Sequence, residues 1–223
     1  MKQLHIFAIL LFLSCSTVSS FAQWQRQSIN TDASFRGLSA VNEHVAWVSG
    51  TKGTFGRTID GGKTWEVGTV PEASALDFRD VEAFSETTAY LLSIGKGEAS
   101  RIYKTIDGGK SWQLQFKNPD HDAFFDAIAF WGEKNGIAMS DPVKGKFHLL
   151  TTEDGGTTWK PIWGLTIPPA LPNEGAYAAS GTCLYTFGLT NVWLVTGGAQ
   201  TARVFMSNNR GRTWTVSESP VMA

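Results

Sequence analysis

One eight-residue phrase, Ser/Thr-x-Asp/Asn-x-Gly-x-Ser/Thr-Trp, recurs four times in the 223 residues. It reads Thr58-Ile-Asp60-Gly-Gly62-Lys-Thr64-Trp65, then Thr105-Ile-Asp107-Gly-Gly109-Lys-Ser111-Trp112, then Thr152-Glu-Asp154-Gly-Gly156-Thr-Thr158-Trp159, and last Ser207-Asn-Asn209-Arg-Gly211-Arg-Thr213-Trp214. Successive copies start 47, 47 and 55 residues apart. A period in the forties, filled with short alternating apolar segments, specifies a blade of about four strands repeated radially. Asp-Gly-Gly between two such segments reads as a hairpin, because glycine takes the positive φ that the turn demands. The carboxylate can accept hydrogen bonds from amides two or more residues on and lock the loop. The closing Trp is expected to be buried at an equivalent place in every unit.

Other positions repeat with the phrase. Segments 35–41, 78–84, 125–131 and 182–187 read as inner strands, followed by 45–48, 88–92, 136–139 and 191–195 as second strands. Arg36, Arg79, Asp126 and Gly181 fall at matching places. The expected fold is therefore all-β: a propeller with four blades of four strands, at about 31–70, 75–117, 122–163 and 178–217, and essentially no helix after residue 22. The phrase joins the third strand to the fourth. A Trp24-Gln-Arg-Gln27 strand without a preceding phrase is surplus to the four blades, and 217–223 reads as a linker into a further one. A seven-bladed ring at this period needs roughly 330 residues. The expectation is an open arc with exposed edges, from a partial chain or one that closes by assembly.

Composition narrows the function classes. Nineteen Lys+Arg balance 20 Asp+Glu, which excludes a nucleic-acid binder driven by a basic surface. Nine Trp and 14 Phe supply too much apolar surface for a disordered chain. Residues 1–22 read as a signal peptide, with Lys2 before an apolar stretch over 6–13 and Ser20-Phe-Ala22 as the cleavage site, so export is expected. The alternative is a lipoprotein attached through Cys15. Cleavage leaves Cys183 as a lone cysteine, expected in the core, and no internal disulfide.

The phrase resembles the Asp-box, or bacterial neuraminidase repeat, of sialidases, some glycoside hydrolases and sortilin-type receptors. Its Asp-Gly-Gly-Lys-Thr-Trp wording is similar to the photosystem II assembly/stability factor type of propeller. Phe124-Phe-Asp-Ala-Ile-Ala-Phe-Trp131, Gly136-Ile-Ala-Met-Ser-Asp-Pro-Val143, Ala178-Ala-Ser-Gly-Thr182 and Ala202-Arg-Val-Phe205 resemble an exported bacterial branch of that group. The resemblance spans about the whole mature chain and implies a fold rather than a reaction.

In such a blade the Asp-boxes mark one face of the disc. The loops between second and third strands crowd the other face around the funnel, where a ligand would bind. Candidate ligand-binding residues there are Arg36, Arg79, Asp126, Asp141, Glu174 and Arg203, with Tyr177 in the long insertion 161–180. Asp60, Trp65, Asp107, Trp112, Asp154, Trp159, Asn209 and Trp214 are read as structural. The favoured function is a non-catalytic exported scaffold that binds a protein or ligand on the funnel face. The alternative is a glycoside hydrolase or sialidase-like enzyme acting on a glycan, which needs two carboxylates about 5–9.5 Å apart. Asp126, Asp141 and Glu174 are the acids that could serve, but no Tyr–Glu nucleophile pair is recognisable. No metal or cofactor is expected. The triplet Asp120-His-Asp122 reads as a solvated loop, and no glycine-rich strand-to-helix turn supports an oxidoreductase.

Overall fold

The computed structural model describes residues 25–162 and 164–220. The expected leader, Cys15 and Trp24 lie outside them. Alternation of large apolar with small or polar residues yields sixteen strands among the described residues, in four antiparallel sheets that each follow chain order. The first blade holds β1 (Phe35–Ala40), β2 (Ala46–Gly50), β3 (Thr54–Thr58) and β4 (Glu66–Thr69). The second holds β5 (Asp77–Ala83), β6 (Ala89–Ile94), β7 (Arg101–Thr105) and β8 (Gln113–Lys117). The third holds β9 (Phe125–Gly132), β10 (Asn135–Ser140), β11 (Leu149–Thr152) and β12 (Lys160–Pro161). The fourth holds β13 (Leu184–Phe187), β14 (Asn191–Thr196), β15 (Arg203–Ser207) and β16 (Thr215–Glu218). One 3-10 turn, Gly97–Ala99, is the only helical element among them.

The register superimposes the blades residue by residue. Thr58, Thr105, Thr152 and Ser207, which begin the four phrases, pair with Ala46, Ala89, Gly136 and Val192. The two faces of each sheet then carry opposite duties, because side chains alternate. Trp47 and Phe55 face the second blade, Tyr90, Leu92 and Ile102 the third, and Ile137, Met139 and Leu149 the fourth. Each joint has its own apolar cluster, so the core is divided among three seams. Backbone acceptors add direction: Trp47 Nε1 donates to Ser85 O at 3.0 Å and Trp131 Nε1 to Asn191 O at 2.6 Å, each reaching into the next blade.

Inner strand β1 packs on β5, β5 on β9 and β9 on β13, with no comparable contact from β13 back to β1. The four blades make an open arc. The fourth blade has its own outer strand β16, which runs to Glu218, one residue past the 217 expected as the end of that blade. Gln25–Gln27 is not in a strand, and Gln27 rests against Gly62 of the first box. The register also corrects one sequence equivalence. Arg36, Arg79 and Asp126 are each the extra, bulged residue of their inner strand. In the fourth blade Val195 bonds to Cys183 O, so Thr182 rather than Gly181 falls at that place. Gly181 is required for another reason: its φ is +77°, and a Cβ there would lie 2.1 Å from the Asp80 carboxylate.

Candidate functional site

The box loops occupy one face of the arc, and their bonding is nearly identical in every copy. Thr58 Oγ1 donates to Asp60 Oδ1 and accepts from the Gly62 amide, both at 2.9 Å. Asp60 also accepts from the Thr64 amide at 2.9 Å and the Thr64 hydroxyl at 2.7 Å. Asp107 and Asp154 repeat this with Ser111 and Thr158. The Thr64 and Ser111 hydroxyls, followed by their amides, hold Asp60 and Asp107 down at about 2. In the fourth copy one bond reverses: Asn209 Nδ2 donates to Thr213 Oγ1 at 2.8 Å. Both carboxylate oxygens of Asp60, Asp107 and Asp154 are thus engaged by the loop itself. The closing tryptophans share a place but not full burial. Trp214 is buried, with Nε1 donating to Gly211 O at 2.7 Å, whereas Trp65, Trp112 and Trp159 are half-buried at the rim of their blades.

The boxes also clasp the preceding blade, which the sequence reading did not anticipate. A Cβ on Gly109 would stand 2.5 Å from the Phe55 ring, and one on Gly156 would stand 2.7 Å from Tyr90. Tyr90 Oη donates to Gly155 O at 2.6 Å and Lys104 Nζ to the same oxygen at 2.8 Å. Trp112 packs edge-on against Trp47 and Phe55. In the second and third copies the second glycine of the phrase is therefore fixed twice, by its positive φ and by the aromatic ring of the preceding blade beneath it.

On the opposite face the blade-to-blade connectors lie against the loops between second and third strands. Gly53 bonds to Leu76 O, Gly97 to Ala123 O, Ala170 to Gly145 O, and Gly175 pairs with Gly197. The insertion before β13 crosses this face and gathers five of the six candidate residues. Glu174 and Arg203 are bound to each other inside it. Arg203 Nε donates to Glu174 Oε1 at 2.8 Å, and its Nη2 donates to Glu174 Oε2 and to Pro169 O at 2.9 Å. The Thr196 hydroxyl and the Leu171 amide complete the carboxylate shell. Burial drives Glu174 upward, but donation from Arg203, Thr196 and Leu171 outweighs it, so its carboxyl lies below the usual range. Asp141 Oδ1 accepts from the Ala176 amide at 2.8 Å. Arg79 pairs with Asp77 at 2.9 Å and donates to Ala178 O at 3.1 Å. Arg36 stands apart, exposed on the first blade.

Beneath the insertion lies an acidic hub. Asp126 is fully buried and neither carboxylate oxygen has a hydrogen-bond partner. Burial, then the charge of Asp141, pushes it up to about 8, with the amides of Asp141 and Ala178 partly opposing this. Asp80, which accepts from the Ile128 amide at 2.7 Å, is pushed up to about 7 by burial. Cys183 is buried as expected and is pushed up to about 12 by burial and then by Asp126, so it is an inert thiol. Among the described residues no group of three or more His, Cys, Asp or Glu could hold a metal ion. In the Asp120-His-Asp122 loop, amides bond back to Asn118 Oδ1 and Asp120 Oδ1, both at 3.0 Å.

Two openings adjoin the insertion. One, of about 430 Å³, lies between Leu171, Pro172 and Asn173 on one wall and Gly198, Ala199 and Gln200 on the other. The second, of about 550 Å³, is lined by Ala176, Tyr177, Val195 and Thr196. Asn173 (φ +64°) and Tyr177 (φ +60°) both hold left-handed backbone, and Tyr177 is 59% exposed. A bulky aromatic in that conformation is strained, and such strain collects at binding segments.

No protein-family model matches the chain. The photosystem II assembly lipoprotein Ycf48 of Synechocystis sp. is 39% identical over 71 residues, 30% of this chain and about a fifth (21%) of that relative's length. Among solved structures, YCF48 bound to D1 peptide has a TM-score of 0.55 at 19% identity, covering 88% of this chain and 70% of that one. A GH74 enzyme of Niastella koreensis has a TM-score of 0.56 at 17% identity, covering 81% of this chain and 24% of the enzyme. A protein of unknown function from Dyadobacter fermentans has a TM-score of 0.56 at 15% identity, covering 85% and 70%. The fold is that of a β-propeller, and the chain is similar to Ycf48 in sequence and in architecture. No helix among the described residues is long and apolar enough to cross a membrane.

Proposed function

We propose that this chain is an exported, non-catalytic propeller scaffold whose funnel face binds an extended segment of another protein. The observation that carries the reading is the cleft between 171–173 and 198–200. It has apolar contact at Leu171 and Pro172, amide groups at Asn173 and Gln200 for a peptide backbone, and no charged side chain on either wall. That solved YCF48 holds a D1 peptide supports a peptide as the occupant class here. Arg79, Asp141, Glu174 and Arg203 shape this site as the struts that fix the insertion, while Tyr177 is the exposed side chain beside it that meets a ligand; Arg36 lies apart from the cleft and could meet only a ligand that extends across the funnel face to the first blade. The leader over 1–22, or lipidation at Cys15, would deliver the scaffold outside the cytoplasm, in keeping with the lipoprotein nature of the Synechocystis relative.

The disposition of the acids weighs against the hydrolase alternative. Glycoside cleavage needs two carboxylates open to the sugar, one to protonate and one to attack or activate water. Here Asp126 is sealed, Glu174 is locked to Arg203, and Asp141 supports Ala176. The test is fluorescence-anisotropy binding of peptides selected from a display library, alongside a glycan panel. Leu171→Asp and Tyr177→Ala are expected to weaken peptide binding about tenfold or more, while Asp60→Ala lowers melting temperature and leaves affinity unchanged. Glycan hydrolysis that disappears in Asp141→Asn would replace the scaffold reading with the enzymatic one.

A further inference from the structure

On the box face, the joint between the third and fourth blades departs from the other two. At the first joint the third strand sends a cation across. Arg57 Nη1 donates to Glu86 O at 2.6 Å and lies 2.1 Å from where a Cβ on Gly108 would stand. At the second joint Lys104 reaches over likewise, donating to Gly155 O at 2.8 Å. The equivalent residue of the third blade is Thr151, which is too short to cross and donates instead to Gly136 O within its own sheet, at 3.0 Å. Here the cation comes from the opposite side. Arg210 stands where the other boxes have Gly61, Gly108 and Gly155, and it keeps their left-handed backbone at φ +57°. Its Nε donates at 2.9 Å to Leu189 O, the counterpart of Glu86 O, and its Nη1 donates at 3.0 Å to Asn135 Oδ1. The structural bond is kept, at the cost of a strained arginine in a glycine position.

This exchange leaves an opening of about 390 Å³ between the outer hairpin of the third blade and the fourth box. Lys160 and Arg212 line it with Arg210. Both are exposed, and neither side chain has a hydrogen bond or ion pair among the described residues. At the matching places the first joint has Glu66 and Lys110, which are opposite in charge, and the second has Gln113 and Thr157, which are uncharged. The third joint therefore carries two cations beyond the one that holds the blades together. Two acids share the opening. Asp154 is engaged through both oxygens by its own box, whereas Glu153 is exposed and unpaired among the described residues. We propose that this opening binds one oxyanion, a phosphate, sulfate or carboxylate group. Guanidinium forks match the geometry of such groups, and Arg210 is already fixed by its two bonds, so little freedom is lost on binding. Glu153 repels a second negative charge, which selects a single oxyanion over a polyanion such as a nucleic acid. The volume lies in the range of small-molecule sites, roughly 300–1,000 Å³, and leaves room beside the oxyanion for a sugar-sized group that carries it. The site is on the face opposite the cleft at 171–173 and does not depend on what binds there.

Isothermal titration of the purified protein at low ionic strength tests it, with glucose 6-phosphate, inorganic phosphate and glucose as probes. Glucose 6-phosphate is expected to bind and glucose is not, with an affinity that falls as salt screens the exposed cations. Lys160→Gln combined with Arg212→Gln is expected to lower that affinity about tenfold or more. Its melting temperature should stay unchanged, because neither side chain has a structural partner. Glu153→Gln is expected to raise affinity about threefold, the effect of one exposed charge. The two phosphate probes distinguish the source: equal affinity identifies the free ion as ligand, and preference for the ester identifies the group that carries it. Absence of binding by both phosphates would overturn the proposal. So would binding that persists in the double variant, or glucose binding as tightly as its phosphate.

Discussion

Replacing Arg203 with Met leaves the buried Glu174 carboxylate without its cation. The guanidinium supplies two donors to Glu174 and one to Pro169 O, and it lies 4.7 Å from the centre of the Phe205 ring. Both residues are over nine-tenths buried, at 7% and 8% exposure. Removing one partner of such a pair typically costs about 3–5 kcal/mol, because the remaining charge stays out of water. The Thr196 hydroxyl and Leu171 amide stay on the carboxylate, which places Arg203→Met near the low end, about 3 kcal/mol. Glu174→Gln combined with Arg203→Met removes the stranded charge, and the double variant should recover about 2 kcal/mol relative to the sum of the singles. Because Glu174 lies below its ordinary range when folded, the pair's contribution is complete above the unfolded carboxylate pKa. It is lost as pH falls through the lower folded value. Urea unfolding of the four proteins at neutral and acid pH measures all of this. A cost for Arg203→Met under about 1 kcal/mol, the level of a surface pair, or strict additivity in the cycle, would refute the idea that this pair pins the insertion.

Asp126 gives the opposite pH dependence. Its folded pKa is raised from 3.8 to about 8, so between those values the native state holds a proton that the unfolded chain has lost. Stability should fall as pH rises through that window, Asp126→Asn should flatten the profile, and an unchanged profile would contradict the burial. Asp60 and Asp107 are held at about 2, so their loops keep full strength above pH 3.8 and weaken only as pH approaches 2. Asp60→Ala should lower melting temperature at pH 7 and narrow its gap to wild type at pH 2, read by scanning calorimetry. Gly109→Ala forces both a φ of +86° and a 2.5 Å approach to Phe55. It should cost about 1–3 kcal/mol in urea unfolding, and a change under about 0.5 kcal/mol would remove the clasp from the account.

The sequence made the architecture legible because five of the box's eight positions need particular residue types: hydroxyls, an acceptor, a left-handed glycine and a ring. Strand order, blade count and the openness of the arc followed from its spacing. What it could not display was pairing across long separations. Glu174 and Arg203 were singled out as separate candidates, yet they meet across 29 residues and satisfy each other. Asp126 was legible as an inner-strand residue, but whether it faces water or a sealed hub depends on the insertion above it. Nor could spacing reveal Gly181's packing against Asp80, a contact made across 101 residues. The half-burial of Trp65, Trp112 and Trp159 has the same origin: a repeat fixes where a ring is placed, and the neighbouring blade decides how much of it is covered.

The direction in which the boxes reach has a consequence for how the chain is made. The second, third and fourth boxes each lie on the blade before, with Gly109 over Phe55, Gly155 and Gly156 against Lys104 and Tyr90, and Gly211 against Ile137. A blade emerging from the ribosome or an export channel is therefore finished only when the turn of its successor arrives some 47 residues later. Stability accrues in nearest-neighbour steps from the N-terminus onward. Synthesis proceeds as a series of clasps, each sealing a unit already delivered, and a stall between two boxes leaves just one blade unsealed.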